Sequence, residues 1–227
     1  MENLLYLCTL IMGKKSSIIV PEGCTRVLLH ACCAPCSSAI VEWLLAHEIE
    51  PVIYYFNPNI YPQEEYEIRK NESKRHADSL GVRWLDEDYT HETWWHDICG
   101  LDNEPERGKR CEVCFYHRLL ATAKKAKVLG IPFFATTLAS SRWKSLEQIN
   151  AAGLKAEQAV NDSGVEIVRF WAQNWRKDGL QERRNELLRE YEFYNQKYCG
   201  CEFSMPAERR DGELHGSEQP ERRQRFE

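Results

Sequence analysis

Ten cysteines occur in this chain of 227 residues, and most of them are grouped. Cys32, Cys33 and Cys36 form one group, Cys111 and Cys114 a second, and Cys199 and Cys201 a third; Cys8, Cys24 and Cys99 stand apart. Thiols so spaced can chelate a metal, or cycle between dithiol and disulfide. Two residues apart at a helix start, a pair of thiolates can face the same way, and the positive end of the helix favours thiolate over thiol. Cys33-x-x-Cys36 and Cys111-x-x-Cys114 supply the four ligands of a tetrahedral zinc, but four thiolates also suit an iron–sulfur cluster. Spacing leaves both open. The surplus thiols tilt the reading towards a redox centre, because a structural zinc needs none of Cys32, Cys199 and Cys201. Gly200 lets the last pair share a tight turn that a side chain would hinder.

Elements must bring these groups together. Apolar runs predict strands over residues 26–30, 51–56, 82–85, 132–137 and 165–170. Helical spacing falls between them, over 38–46, 64–80, 111–129, 146–160 and 180–195, with a short aromatic segment at 91–99. The strands are apolar throughout rather than alternating, as when helices cover both faces. The expectation is an α/β chain with a Rossmann-like three-layer fold and a mostly parallel sheet. Ligands in such sheets bind beyond the carboxyl ends of the strands. The loops after His30, Phe56 and Thr136 fall there, and the first carries cysteines, so the metal site is expected at the carboxyl ends of the strands. One catalytic domain is expected over 24–204, with a leader at 1–23 and a disordered charged tail at 205–227.

Composition narrows the setting. Disulfide scaffolds are usually small, and the apolar stretch Leu4–Met12 has neither a basic flank nor a clean cleavage site. A reducing, cytoplasmic location is therefore expected, with no membrane partner, since no apolar run is long enough to span a bilayer. The formal net charge of −5 gives no bulk sign of nucleic-acid binding, though a basic patch can sit on an acidic protein. Arg110, Arg118, Arg142, Lys144, Arg176 and Lys177 could meet phosphates. Trp94, Trp95, Trp143, Trp171 and Trp175 could stack on bases, although most aromatics fill cores.

Several blocks carry a family resemblance. Leu29-His30-Ala31-Cys32-Cys33-Ala34-Pro35-Cys36-Ser37 opens the pattern. Tyr54-Tyr55-Phe56-Asn57-Pro58-Asn59-Ile60, with Glu64, Glu65, Tyr66 and Arg69, forms its second block. Arg110-Cys111-Glu112-Val113-Cys114-Phe115-Tyr116-His117-Arg118-Leu119 is the third, and Phe134 to Leu138 with Ser140 and Lys144 the fourth. Tyr198-Cys199-Gly200-Cys201-Glu202-Phe203-Ser204 closes it. Over roughly residues 24 to 204 the chain resembles the cobalamin-independent epoxyqueuosine reductase family.

The resemblance implies the last step of queuosine synthesis, in which the epoxide oxygen of epoxyqueuosine is removed at the wobble position of a tRNA anticodon loop. It implies a [4Fe-4S] cluster on Cys32, Cys33, Cys111 and Cys114. Beside it stands an accessory site, either a mononuclear iron or a redox-active Cys199–Cys201 pair, with Cys36 open between the two sets. Electrons would come from a one-electron donor such as ferredoxin or flavodoxin. His30 and Tyr61, at or near the expected strand ends, are candidate proton donors, as are Asn59 and Glu65; a histidine closing a buried strand can equally be a satisfied core residue. Two rivals stand: a zinc-stabilised nucleotide-binding protein or tRNA-modifying transferase, and a thiol–disulfide oxidoreductase. No phosphate-cradling glycine loop follows the first strand, which disfavours the first. The second leaves Cys32 and the Cys111–Cys114 pair unexplained.

Overall fold

The computed structural model describes residues 17–161 and 167–206. Five strands form one sheet: β1 (Arg26–His30), β2 (Glu50–Tyr55), β3 (Trp84–Asp86), β4 (Phe133–Thr136) and β5 (Arg169–Phe170). Their order is β3-β2-β1-β4-β5 and every pair is parallel. The expected Rossmann-like architecture is present. The helices are α1 (Ala34–Ala46), α2 (Gln63–Ser79), α3 (His91–Asp97), α4 (Lys109–Val128), α5 (Leu146–Asn161) and α6 (Leu180–Glu190). Helix α1 packs against α2 and α6, while α4 packs against α5. The chain winds outward from β1 in one direction and then from β4 in the other. The switch between β1 and β4 opens a crevice at their carboxyl ends, where such folds bind ligands.

The apolar strands predicted this burial. Val27, Leu28 and Leu29 of β1, Val52 and Ile53 of β2 and Phe134 of β4 are wholly buried, with Leu44 of α1 and Leu119 of α4 against them. His30 pairs in register with both Tyr54 and Thr136, so three strands end level and their loops meet.

Some boundaries differ from the sequence expectation. Helix α1 begins at Ala34 instead of residue 38, because Pro35 occupies its first turn, where a missing N–H is tolerated. Cys36 therefore lies inside the helix and not in a preceding loop. Helix α6 stops at Glu190, short of 195; Glu192 adopts a positive φ of 50° and turns the chain back. Within the expected leader, residues 17–19 are docked. Both Ser17 N–H and Ile18 N–H donate to the Asp178 carboxylate, and Trp171 Nε1 donates to the Ile19 carbonyl. Residues 1–16 of the leader, 207–227 of the tail, and 162–166, which include the first two positions of the fifth predicted strand, lie outside the described residues. Among the described residues no helix is long and apolar enough to cross a membrane.

Candidate metal centre

The three loops predicted to meet are tied by side chains. His30 is fully buried, and its ring lies 2.9 Å (Nδ1) from Thr136 Oγ1 and 3.1 Å (Nε2) from the Phe56 carbonyl. The carbonyl can only accept, so Nε2 carries the proton and Nδ1 accepts from the Thr136 hydroxyl. Burial, then the Arg118 charge, pulls the His30 pKa down to about 4, so the ring is neutral at pH 7. Asn57 Nδ2 donates to the Ala31 carbonyl, and Cys32 N–H donates to Thr137 Oγ1. The loop after β1 is thus held from both sides.

That loop and the first turn of α1 present three thiols. Ligand atoms of Cys32, Cys33 and Cys36 all lie within 4.8 Å of one another. Cys32 and Cys33 are buried, and Cys36 is partly so. The Cys33 and Cys36 thiols stabilise the Cys32 thiolate and hold its pKa well below the ordinary thiol value, with help from Lys144 and the Thr137 hydroxyl. Cys33 is pushed well above it by burial, and the Cys32 interaction pushes Cys36 up to about 12. Gln196 closes the group from the segment after α6, its Nε2 lying 2.9 Å from Cys33 Sγ and 3.6 Å from Cys36 Sγ.

A second set faces the first. Cys111 and Cys114 sit in the opening turns of α4, and Arg107 N–H donates to Cys111 Sγ at 3.3 Å. Burial raises the pKa of both thiols, and Cys199 adds to the effect. Cys201 packs beside Cys114, Trp94 and Phe203; burial, then Cys199, pushes its pKa up to about 12. The Cys199–Cys201 turn is fixed from beneath. Arg69 donates to the Cys199 and Tyr198 carbonyls, and Tyr61 N–H donates to the Gly200 carbonyl. Gly200 has φ 130°, and a Cβ there would lie 2.9 Å from Ile60 Cγ1. The turn therefore requires glycine, for space as well as for backbone freedom.

Two cations stand close to thiols of both sets. Arg118 is 1% exposed; it reaches the Cys114 carbonyl and Asn57 Oδ1, while its Nη2 has no partner. Burial opposes its charge, but Cys114, Cys199, Cys32 and Cys201 outweigh that, and its pKa is raised. Lys144 behaves alike, with Cys199, Cys32 and Cys36 outweighing burial. Neither pairs with a carboxylate among the described residues. A buried, unpaired guanidinium is strongly unfavourable. Metal-bound thiolates would supply the missing negative charge.

The sequence-derived residues separate here. Cys36 joins Cys32 and Cys33, while Cys111, Cys114, Cys199 and Cys201 form a separate set that shares the neighbouring Arg118 with them. Tyr61 is partly exposed, its ring 5.5 Å from that of His91. Asn59 is fully buried beside Gly200, with neither amide atom hydrogen-bonded. Glu65 is occupied by Arg69 and Tyr194. Arg110, one of the candidate phosphate contacts, is buried; it donates to the carbonyls of Leu101, Asp102 and Glu104 and lies over the Phe203 ring. Trp94, Trp171 and Trp175 are buried, whereas Trp143 is 69% exposed. Gln196 had no sequence signal of its own, and Thr137 was marked only as part of the fourth block; each acts through a contact more than a hundred residues away in sequence.

An α/β protein with a thiol centre at its topological switch point is the class this geometry defines. A family model described as epoxyqueuosine reductase QueH matches residues 27–207. The epoxyqueuosine reductase QueH of Haemophilus influenzae is 42% identical over 191 residues, 84% of this chain and 76% of that protein. The protein of the same description from Acinetobacter baylyi is 41% identical, covering 82% of this chain and 83% of its own length. That from Thermotoga maritima is 35% identical, covering 82% and 92%. The chain belongs to the epoxyqueuosine reductase QueH family, and it is an oxidoreductase.

Proposed function

We propose that this protein reduces the epoxide of epoxyqueuosine, at the wobble position of a tRNA anticodon loop, to the alkene of queuosine. The observation that carries the reading is the convergence of the Cys32, Cys33 and Cys36 sulfurs at the strand ends, in a chain of this family. The reaction takes two electrons and two protons and releases the epoxide oxygen as water. The donor set, all thiol and flanked by cations without carboxylates, fits a [4Fe-4S] cluster. Cys32, Cys33, Cys111 and Cys114 would hold it, and it would supply one-electron transfer.

A second electron has to be stored nearby. Oxidation of the Cys199–Cys201 dithiol to a disulfide yields two electrons and two protons, which balances the deoxygenation. An external one-electron donor of the ferredoxin or flavodoxin kind then restores the dithiol in two steps. A second reading replaces this store with a mononuclear iron; the closeness of Cys36 to Cys32 and Cys33 favours it. His30, bound at both ring nitrogens and neutral, orients the loops, which leaves Tyr61 the better candidate to hand a proton to the leaving oxygen. Turnover of epoxyqueuosine-containing tRNA by anaerobically prepared protein, followed by nucleoside analysis, tests the proposal. Queuosine should appear; intact epoxyqueuosine with a reduced cluster present would reject it.

A further inference from the structure

A basic cleft adjoins the thiol centre. It has a volume of about 930 Å³ and lies between the start of α4, the loop before α5 and α5 itself. Arg107, Arg142, Lys144, Lys155 and Arg176 line it, against the acids Glu112 and Glu147. None of the five cations pairs with a carboxylate among the described residues. Glu112 is occupied by Gln148 Nε2 at 2.9 Å. Such a concentration of positive charge runs against a chain whose net charge is −5.

The cleft is built, not incidental. Arg107 holds a left-handed backbone at φ 66°, which is unfavourable for a side chain of its kind. Three contacts keep it there. Its N–H donates to Cys111 Sγ, its Nε donates to the Trp143 carbonyl, and its carbonyl accepts from Gln148 Nε2. Arg176 donates to the Lys144 carbonyl, its Nε has no partner, and it is close enough to Arg107 for the two charges to repel. Two like charges held together await an anion. At the rim Trp143 is 69% exposed, with the Arg142 guanidinium 5.1 Å from its ring centre. Lys144 is common to the cleft and the thiol centre.

We infer that this cleft binds the phosphate backbone of a single-stranded RNA loop, with Arg107, Arg142 and Arg176 on phosphates and Trp143 stacked on an unpaired base. This rests on the proposed function and adds to it the surface that presents the target nucleoside. Arginines combined with an exposed aromatic plane suit an unstacked loop, whose bases offer their faces. An acidic protein, such as an electron donor, would meet the same charge but has no use for the tryptophan plane.

The test measures binding of an unmodified anticodon stem–loop RNA to the anaerobically purified full chain across a range of salt. Arg142→Gln should weaken binding and reduce the slope of log K against log salt by about 0.7, one phosphate contact on a single strand. Trp143→Ala should weaken binding roughly 5- to 150-fold with the slope unchanged. Lys74→Glu, a charge reversal at an exposed residue of α2 outside the cleft lining, serves as control and should change neither. Both cleft residues are exposed, so folding is not at stake. Unchanged RNA affinity in both cleft variants overturns the inference. So does unchanged RNA affinity with slower reduction by a protein donor but not by dithionite, which would give the cleft to that donor. Because the RNA carries no epoxide, binding is read apart from turnover. Normal cleft behaviour without deoxygenation would reject the proposed function alone, and turnover with cleft-independent binding would reject the cleft alone.

Discussion

Gly200 separates the two thiols of the C-terminal pair, and its surroundings show directly what that pair needs. At φ 130°, with Ile60 Cγ1 only 2.9 Å from the place a Cβ would take, Gly200→Ala must strain the backbone and displace the turn. The expected loss is about 1–3 kcal/mol of local stability, and turnover should fall at least tenfold while bound iron stays constant. The double variant Cys199→Ser/Cys201→Ser should also keep its iron and lose turnover. Full activity in the iron-replete double variant would remove the pair from the mechanism. The spacing of these two thiols was readable from sequence, and so was the need for glycine between them. The supports of the turn were not: Arg69 reaches the Cys199 carbonyl from α2, and Asn59 and Ile60 arrive from the loop after β2. Such contacts exist only once the chain has folded.

At the scale of the element, α4 carries Cys111, Cys114 and Arg118 at spacings of three and four, which places them on one face. The helix therefore delivers the two proposed ligands and a counter-charge together. Replacing Arg118 by Met keeps the length and removes the charge. The reduced cluster, which carries the extra negative charge, should lose most, so the midpoint potential should fall by on the order of 50 mV. An unchanged potential at full iron content would mean that Arg118 only packs. Helix α2 allows a test of pH dependence away from the thiols. His76 is buried with neither ring nitrogen hydrogen-bonded, and burial, then Arg75, lowers its pKa to about 4. A depressed histidine stabilises the fold fully above the unfolded value of about 6.5 and loses that contribution as pH falls towards 4. Between pH 7 and pH 5 the wild-type protein should lose about 2 kcal/mol through this group. Urea titrations of His76→Phe should show that much less pH dependence. Periodicity revealed the helices themselves, because their faces follow the 3.6-residue repeat. It overran the end of α6, where the turn at Glu192 carries no glycine or proline to signal it.

For the whole molecule, the strand order explains why residues far apart in sequence form one centre. The reversal between β1 and β4 leaves a crevice at their carboxyl ends, and there Cys32 from the loop after His30 meets Thr137 from the loop after β4. The segment after α6 then returns across it with Gln196 and the Cys199–Cys201 turn. Apolar strands between helical segments made the parallel sheet legible in sequence. The grouping of Cys36 with Cys32 and Cys33 was not, because C-x-x-C spacing alone does not say which thiols converge. A metal bound only by the folded state adds its binding energy to stability. Protein stripped by a chelator should therefore melt roughly 10 °C lower than the loaded protein, as differential scanning calorimetry under argon would show.

The central claim is that the clustered thiols hold an iron–sulfur centre, and elemental analysis of anaerobically purified protein tests it most directly. About four irons and four acid-labile sulfides per chain, in a brown protein, is the predicted result; a fifth iron without further sulfide would place the accessory store on a mononuclear iron. Zinc alone, in a colourless protein without sulfide, would contradict the account.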